Sequence, residues 1–273
     1  MEGSVLGTIV TRRRLRVEQA KAVVPLAEIK AAAEARRDFR SFEAALRGKN
    51  PAVIAEMKKA SPSHGLLRED YDVGEIAAQY ERGGAAALSV LTEEEYFGGS
   101  LADLVSARES AGLPVLRKDF IVDEYQLFES AARGADAVLL IVAALPDAQL
   151  KELIRLAGLF RLSALVEVHS EGECARALQA GATTIGVNNR DLKTLEVSLE
   201  TSFRLAALIP ASSLKISESG IRTAADLTAL YEAGYNAALI GERFMTEPEP
   251  GAALAALLDD VKKDLAGRRE TTP

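Results

Sequence analysis

The sequence predicts an α/β protein, a closed (β/α)8 barrel with an N-terminal helical extension. Three observations carry that prediction. From residue 53 onward, short apolar or β-branched runs alternate eight times with longer segments of helical spacing. The short runs are apolar enough to be covered on both faces, as the strands of a parallel sheet are. Helical segments repeatedly stop at small residues just before the next apolar run, marking repeated βα units. A doubly wound open sheet is the competing architecture, but the first strand is not followed by a glycine-rich dinucleotide turn.

The first 50 residues precede the first strand and look helical, with Pro25 and Gly48 as boundaries. This extension is expected to cap the bottom of the barrel or to lie beside its mouth. Its basic run, Arg12-Arg13-Arg14-Leu15-Arg16, leads into an alanine-rich segment carrying Lys21, Glu28, Lys30 and Glu34, and reads as a solvated helical face. The predicted strands are 53–58, 86–91, 114–119, 137–142, 164–168, 184–188, 214–217 and 237–240. The helices between and after them are expected at 73–82, 101–110, 125–133, 147–158, 171–179, 199–208, 224–232 and 252–264. Five of the stops, at Gly84, Gly112, Gly134, Gly181 and Gly234, offer glycine for the left-handed position that closes a helix. The organisation expected is an extension over 1–50, a barrel over 51–265 and a tail over 266–273.

Composition narrows the function. A chain of 273 residues, 48% hydrophobic and 27% charged, can bury the core of one barrel. No apolar run reaches the roughly 18–20 residues of a membrane span, and no N-terminal signal pattern stands out, so a soluble, cytoplasmic protein is expected. A net charge of −7 argues against a nucleic-acid footprint. Cys174, the single cysteine, excludes an internal disulfide and suits a packing role in a helix. His64 and His169 lie far apart with no cluster of ligand spacing, so no metal is expected.

The most informative stretch is Val-Ile-Ala-Glu-Met-Lys-Lys-Ala-Ser-Pro-Ser-His-Gly, residues 53–65. On a strand, Glu56 and Lys58 point the same way, and two opposite charges on an inward face are expensive unless they do chemistry. Polar residues also close other strands: Arg117-Lys118-Asp119-Phe120, Glu167-Val168-His169, Asn188-Asn189-Arg190-Asp191, Ser217-Glu218-Ser219-Gly220 and Gly241-Glu242. In a (β/α)8 barrel these strand ends share one rim, where the active site lies. Ser219-Gly220 before a helix capped by Thr223, and Gly241-Glu242 before a short helix around residues 243–245, fit a phosphate held by backbone N–H groups.

Taken together, the motifs closely resemble the indole-3-glycerol phosphate synthase family of tryptophan biosynthesis. They are Ile-Ala-Glu-Met-Lys-Lys-Ala-Ser-Pro-Ser, Leu-Ser-Val-Leu-Thr-Glu with Tyr96-Phe97-Gly98-Gly99-Ser100, Leu-Arg-Lys-Asp-Phe-Ile, Leu-Val-Glu-Val-His, Gly-Val-Asn-Asn-Arg-Asp-Leu, Ser-Glu-Ser-Gly-Ile and Leu-Ile-Gly-Glu. The resemblance runs in order along nearly the whole chain. His64 departs from it, standing where the family usually has Lys or Arg.

The resemblance implies a TIM barrel enzyme, a carboxy-lyase that closes the pyrrole ring of 1-(2-carboxyphenylamino)-1-deoxyribulose 5-phosphate with loss of carbon dioxide and water. It implies acid-base catalysis on a small sugar-phosphate substrate, with no cofactor and no obligate protein partner. By position, Lys118 is the implied general acid, Glu167 the general base, and Glu56 the partner that holds the lysines. Lys58 is implied to bind substrate, with the acid duty between Lys58 and Lys118 left open. Asn188, Arg190 and Ser61 are assigned to the substrate carboxylate. Ser219, Gly220, Gly241 and Glu242, with Glu218 beside them, are assigned to the phosphate end. Phe120, Leu139 and Leu192 form the expected slot for the benzene ring, and loop 61–70 is expected to close over it. Burial and neighbouring cations would lower the Lys118 pKa while Glu56 and Glu167 would raise it, and the sequence leaves that balance open. A Schiff base on Lys118 or Lys58, and a barrel that binds without turnover, are the alternatives.

Overall fold

The computed structural model describes residues 5–270, apart from Ser63 and Lys193. Residues 1–4 of the extension, 271–273 of the tail and Ser63 of the first motif therefore lie outside the described residues. Eight parallel strands close a barrel: Ala52–Met57, Ala87–Leu91, Val115–Lys118, Ala137–Ile141, Ser163–Val168, Thr184–Asn188, Leu214–Glu218 and Ala237–Ile240. Each pairs with its neighbours in chain order, and the eighth returns to the first, with Ile54 beside both Leu239 and Ala87. The strands fall within a residue or two of the predicted positions, because runs buried on both faces are the strongest signal in the sequence.

Helices Val73–Arg82, Leu101–Ser110, Glu124–Ala132, Asp147–Leu159, Glu171–Gln179, Glu200–Ala206, Ala224–Glu232 and Pro250–Glu270 form the outer ring. Side chains of Asp72, Ser100, Asp123, Ser170 and Thr223 accept N–H groups of the helix each precedes, and Thr223 with Asp226 completes a capping box. Gly84, Gly134, Gly181 and Gly234 take the expected positive φ, whereas Gly112 does not. There the helix ends at Ala111 in extended backbone, so the chain turns toward the third strand without a left-handed residue. Cys174 is buried in its helix as expected.

The extension does both things expected of it. Its first helix, Val5–Val23, stands beside the mouth, where Arg13 reaches Asp119 at the end of the third strand (3.0 Å). A second helix, Leu26–Ala35, descends the outside. A third, Phe42–Arg47, closes the bottom with Phe42 and Leu46 fully buried and Glu43 accepting from Thr184 at the start of the sixth strand (3.3 Å). The basic run is thus not a purely solvated face. Arg13 is buried against Asp119, while Arg12 and Arg16 pair with Glu95 and Glu94. Those partners belong to a short helix, Glu94–Phe97, that periodicity is too brief to reveal. Among the described residues no helix is long and apolar enough to cross a membrane.

Candidate active site

Strand alternation delivers the charged side chains to one place. Glu56 lies near the end of the first strand with Lys58 just beyond it, and they meet at 3.2 Å. Lys118 ends the third strand, Glu167 is penultimate in the fifth, and Asn188 and Glu218 end the sixth and seventh. All six line a cavity of 680 Å³ at the C-terminal rim. Missing side chains make the room. A Cβ on Gly186 would collide with Glu218 Oε1, and one on Gly241 would come within 2.6 Å of Glu56 Oε1.

Lys118 is the electrostatic centre. Its Nζ is 3.4 Å from Glu167 Oε2 and 3.5 Å from Glu218 Oε2. Burial lowers its pKa, but Glu167, Glu218 and Glu56 together outweigh burial and hold it above the usual lysine range. That settles the balance the sequence left open: the ammonium keeps its proton. Burial raises Glu167, yet Lys118 and His169 bring its carboxyl net well below the carboxylate range. Glu218 goes the other way. Burial, only partly countered by Lys118 and reinforced by Glu167, raises it to about 8, and neither of its oxygens accepts a hydrogen bond. Two adjacent carboxyls with pKa values pushed apart are a pattern of acid-base sites.

The rim beyond the seventh strand is shaped by strained backbone. Ser219 has φ 68° and Gly220 φ 84°, and a left-handed conformation in a non-glycine residue needs support. Asn189 supplies it, its Nδ2 donating to Ser217 Oγ (3.0 Å) and to the carbonyls of Glu218 (3.1 Å) and Ser219 (3.0 Å). A Cβ on Gly220 would stand 2.6 Å from Val197 Cγ1. Across the rim, Phe244 and Met245 N–H groups donate to Gly241 O, so the preceding N–H groups of Glu242 and Arg243 precede the first bonds of helix Glu242–Met245. Ser219, Gly220, Gly241 and Glu242 all line the cavity. The Glu242 carboxylate is drawn toward His64 (3.4 Å) and Arg190 (3.9 Å).

Asn188 Oδ1 accepts the Arg190 N–H at 3.0 Å, fixing the start of the loop that carries Arg190 into the cavity lining. Phe120, Leu139 and Leu192 line the cavity as apolar wall. Ser61 does not line the cavity. It is buried in a small antiparallel ribbon, Ala60–Ser61 with Gly65–Leu66, where its Oγ accepts His64 N–H at 3.2 Å. The sequence reading missed Leu6 and Phe97, which also line the cavity, Phe97 with its ring 6.3 Å from that of Phe120. It also missed the place of Glu218. Ending the seventh strand at Ser217 obscured that Glu218 shares a face with Leu214 and Ile216, a parity one more residue would have exposed.

Comparison with known proteins agrees with this geometry. The family model for indole-3-glycerol phosphate synthase matches residues 6–257. A curated indole-3-glycerol phosphate synthase from Albidiferax ferrireducens is 52% identical over 257 residues, covering 93% of this chain and 97% of that protein. One from a Polaromonas species is 50% identical with the same coverage. Among solved structures, a thiamine phosphate pyrophosphorylase from Pyrococcus furiosus superposes with a TM-score of 0.60 at 16% identity, covering 81% of this chain and 99% of that one, a likeness of fold alone. With its motifs seated on one rim of a closed eight-stranded barrel, the chain belongs to the indole-3-glycerol phosphate synthase family.

Proposed function

We propose a division of labour among the cavity residues for the reaction this family member catalyses, the conversion of 1-(2-carboxyphenylamino)-1-deoxyribulose 5-phosphate to indole-3-glycerol phosphate, carbon dioxide and water. The observation that carries the proposal is the Lys118 ammonium held between Glu167 and Glu218. As the aromatic carbon bonds to the ketone carbon, the ketone oxygen becomes an alkoxide and Lys118 protonates it. Carbon dioxide then leaves and the ring regains aromaticity. Glu167, ionised, removes a proton from the carbon next to the one bearing the new hydroxyl, which departs as water after protonation by Lys58, whose proton solvent restores, or by Lys118 once solvent has reprotonated it. The proton on Glu167 returns to Lys118 at 3.4 Å, resetting the pair.

Binding is shared among the remaining residues. Arg190 and Asn188 orient the substrate carboxylate, whose loss needs alignment. Ser61 supports that end indirectly, through the ribbon that presents His64 and Lys58. Ser219, Gly220, Gly241 and Glu242 offer main-chain donors to the phosphate. Phe120, Leu139 and Leu192 hold the benzene ring, and Glu56 holds Lys58. No step is assigned to a metal or cofactor. We read residues 1–50 as extension, 51–265 as barrel and 266–273 as tail, the enzyme working in the cytoplasm on a sugar phosphate without nucleic acid or a protein partner.

Lys118→Ala tests the assignment. Turnover followed by indole fluorescence is expected to fall by about 10² to 10⁴-fold while substrate still binds, the usual cost of removing a general acid. A variant within a few-fold of wild type would remove Lys118 from the chemistry.

A further inference from the structure

A buried histidine that these steps do not use stands behind Glu167. His169 follows the fifth strand, its side chain 10% exposed, and it is not part of the cavity lining. Its Nε2 is 3.4 Å from Glu167 Oε1, and its Nδ1 is 3.1 Å from Glu173 Oε2. Glu173 also accepts the His169 backbone N–H at 2.8 Å, fixing both ring and main chain. Glu173 is itself held in the first turn of helix Glu171–Gln179, where Ser170 Oγ accepts its N–H at 3.3 Å.

The two oxygens of Glu167 therefore face different partners: Oε1 turns to His169, Oε2 to Lys118 at 3.4 Å. The ion pairs of His169 are with Glu167 on the fifth strand and Glu173 on the following helix. On the far side of Glu167, Lys118 comes from the third strand and Glu218 faces Lys118 from the seventh. The approach of Nε2 to Glu167 Oε1 is an ion-pair contact without a hydrogen bond, and only a doubly protonated imidazole carries the charge that attracts a carboxylate at each nitrogen. Burial works against that charge, but the two carboxylates prevail and raise its pKa to about 10.

We propose that His169, held by Glu173, is a positioning residue that fixes Glu167 with Oε2 turned to Lys118 and the substrate, and keeps that carboxylate ionised through its positive charge. The proposal rests on Glu167 being the base. In sequence the signal is the i, i+2 spacing of Glu167 and His169 on extended backbone, followed by Glu173 four residues on, at the start of a helix.

The test is the pH dependence of kcat for wild type, His169→Ala, His169→Gln and Glu167→Gln, with KM measured alongside. His169→Ala is expected to lower kcat near neutral pH by about 10- to 100-fold, as for a misplaced catalytic group, with KM changed only a few-fold. Its acid limb is expected at higher pH, because Glu167 has lost a cationic neighbour. His169→Gln, which keeps an N–H donor without the charge, is expected to recover part of kcat but not the position of the limb. An unchanged kcat, or a loss equal at every pH, would reduce His169 to packing and overturn the proposal. If His169→Ala does not fold, His169→Gln decides alone, and an acid limb in its wild-type place overturns it. Glu167→Gln separates the two levels. Wild-type turnover in that variant would overturn the base assignment and the proposal with it, whereas an inactive Glu167→Gln beside an unaltered His169→Ala would overturn only the role of His169.

Discussion

Two buried ion networks in this molecule use similar charges and do opposite things. Behind the barrel, Asp136 Oδ1 accepts from Arg36 Nη2 (2.7 Å) and the Arg40 N–H (3.0 Å), and its Oδ2 accepts from Arg108 Nη1 (2.5 Å) and the Val115 N–H (3.0 Å). Arg36 and Arg108 also hold Asp38, with the Arg36 hydrogen bond leading in lowering its carboxyl to about 2. In the cavity, Lys118 meets Glu167 and Glu218 only at 3.4 and 3.5 Å, and the oxygens of Glu218 accept no hydrogen bond. The first network is saturated and built on arginines, which do not give up protons in proteins. The second is under-bonded and built on groups that do. Saturation fixes the extension to the barrel, and under-bonding leaves capacity for a substrate.

The comparison can be broken from either side. The largest effect is expected at the saturated end. Asp136→Asn leaves Arg36 and Arg108 without their buried carboxylate, with only the exposed Asp38 remaining, and should cost about 3–5 kcal/mol in urea unfolding, with kcat per folded molecule unchanged. A variant as stable as wild type would show that the network does not anchor the extension. Gly186→Ala acts at the other end by putting a methyl group where Glu218 Oε1 lies. Its kcat should fall by about 10- to 100-fold through displacement of a cavity carboxyl, and full activity would mean that the position of Glu218 does not matter.

Glu218→Gln probes the same carboxyl by pH. Wild type keeps a proton on Glu218 up to about pH 8, whereas the unfolded chain loses it near pH 4.3. Stability from this group is therefore present below the unfolded value and lost as pH rises through the folded one. The melting temperature of Glu218→Gln should gain on that of wild type steadily from pH 5 to pH 8, and a constant difference would contradict the shift. The smallest effect is expected at an exposed pair belonging to neither network. Lys262→Ala, which breaks a solvent-exposed contact to Asp259 one helical turn away, should leave both the urea midpoint and turnover at their wild-type values.

Much of this was legible before the structure. Alternation placed Glu56 beside Lys58, and the rule that barrel sites sit at strand ends gathered Lys118, Glu167, Asn188 and Arg190 on one rim. The rest depended on geometry that sequence spacing does not encode. Alternation gives the face of a residue but not which strand leans toward it, so the meeting of Glu218 with Lys118 was hidden. Arg13 reads as one of several surface arginines until Asp119, more than a hundred residues away, is brought beneath it. The partner of a buried charge is a long-range fact, as Ser61 also shows: its type and place in the motif suit a ligand contact, yet its hydroxyl serves the ribbon.

The most direct test of the central claim, that Lys118 works by holding and returning a proton, is borohydride trapping during turnover, followed by intact mass. A Schiff base requires a neutral amine, and the acidic side chains around Lys118, Glu167 foremost, hold its pKa above the usual lysine range. The account predicts normal product formation and no mass added to the protein at any lysine. A stable adduct of substrate mass on Lys118 or Lys58 would contradict it.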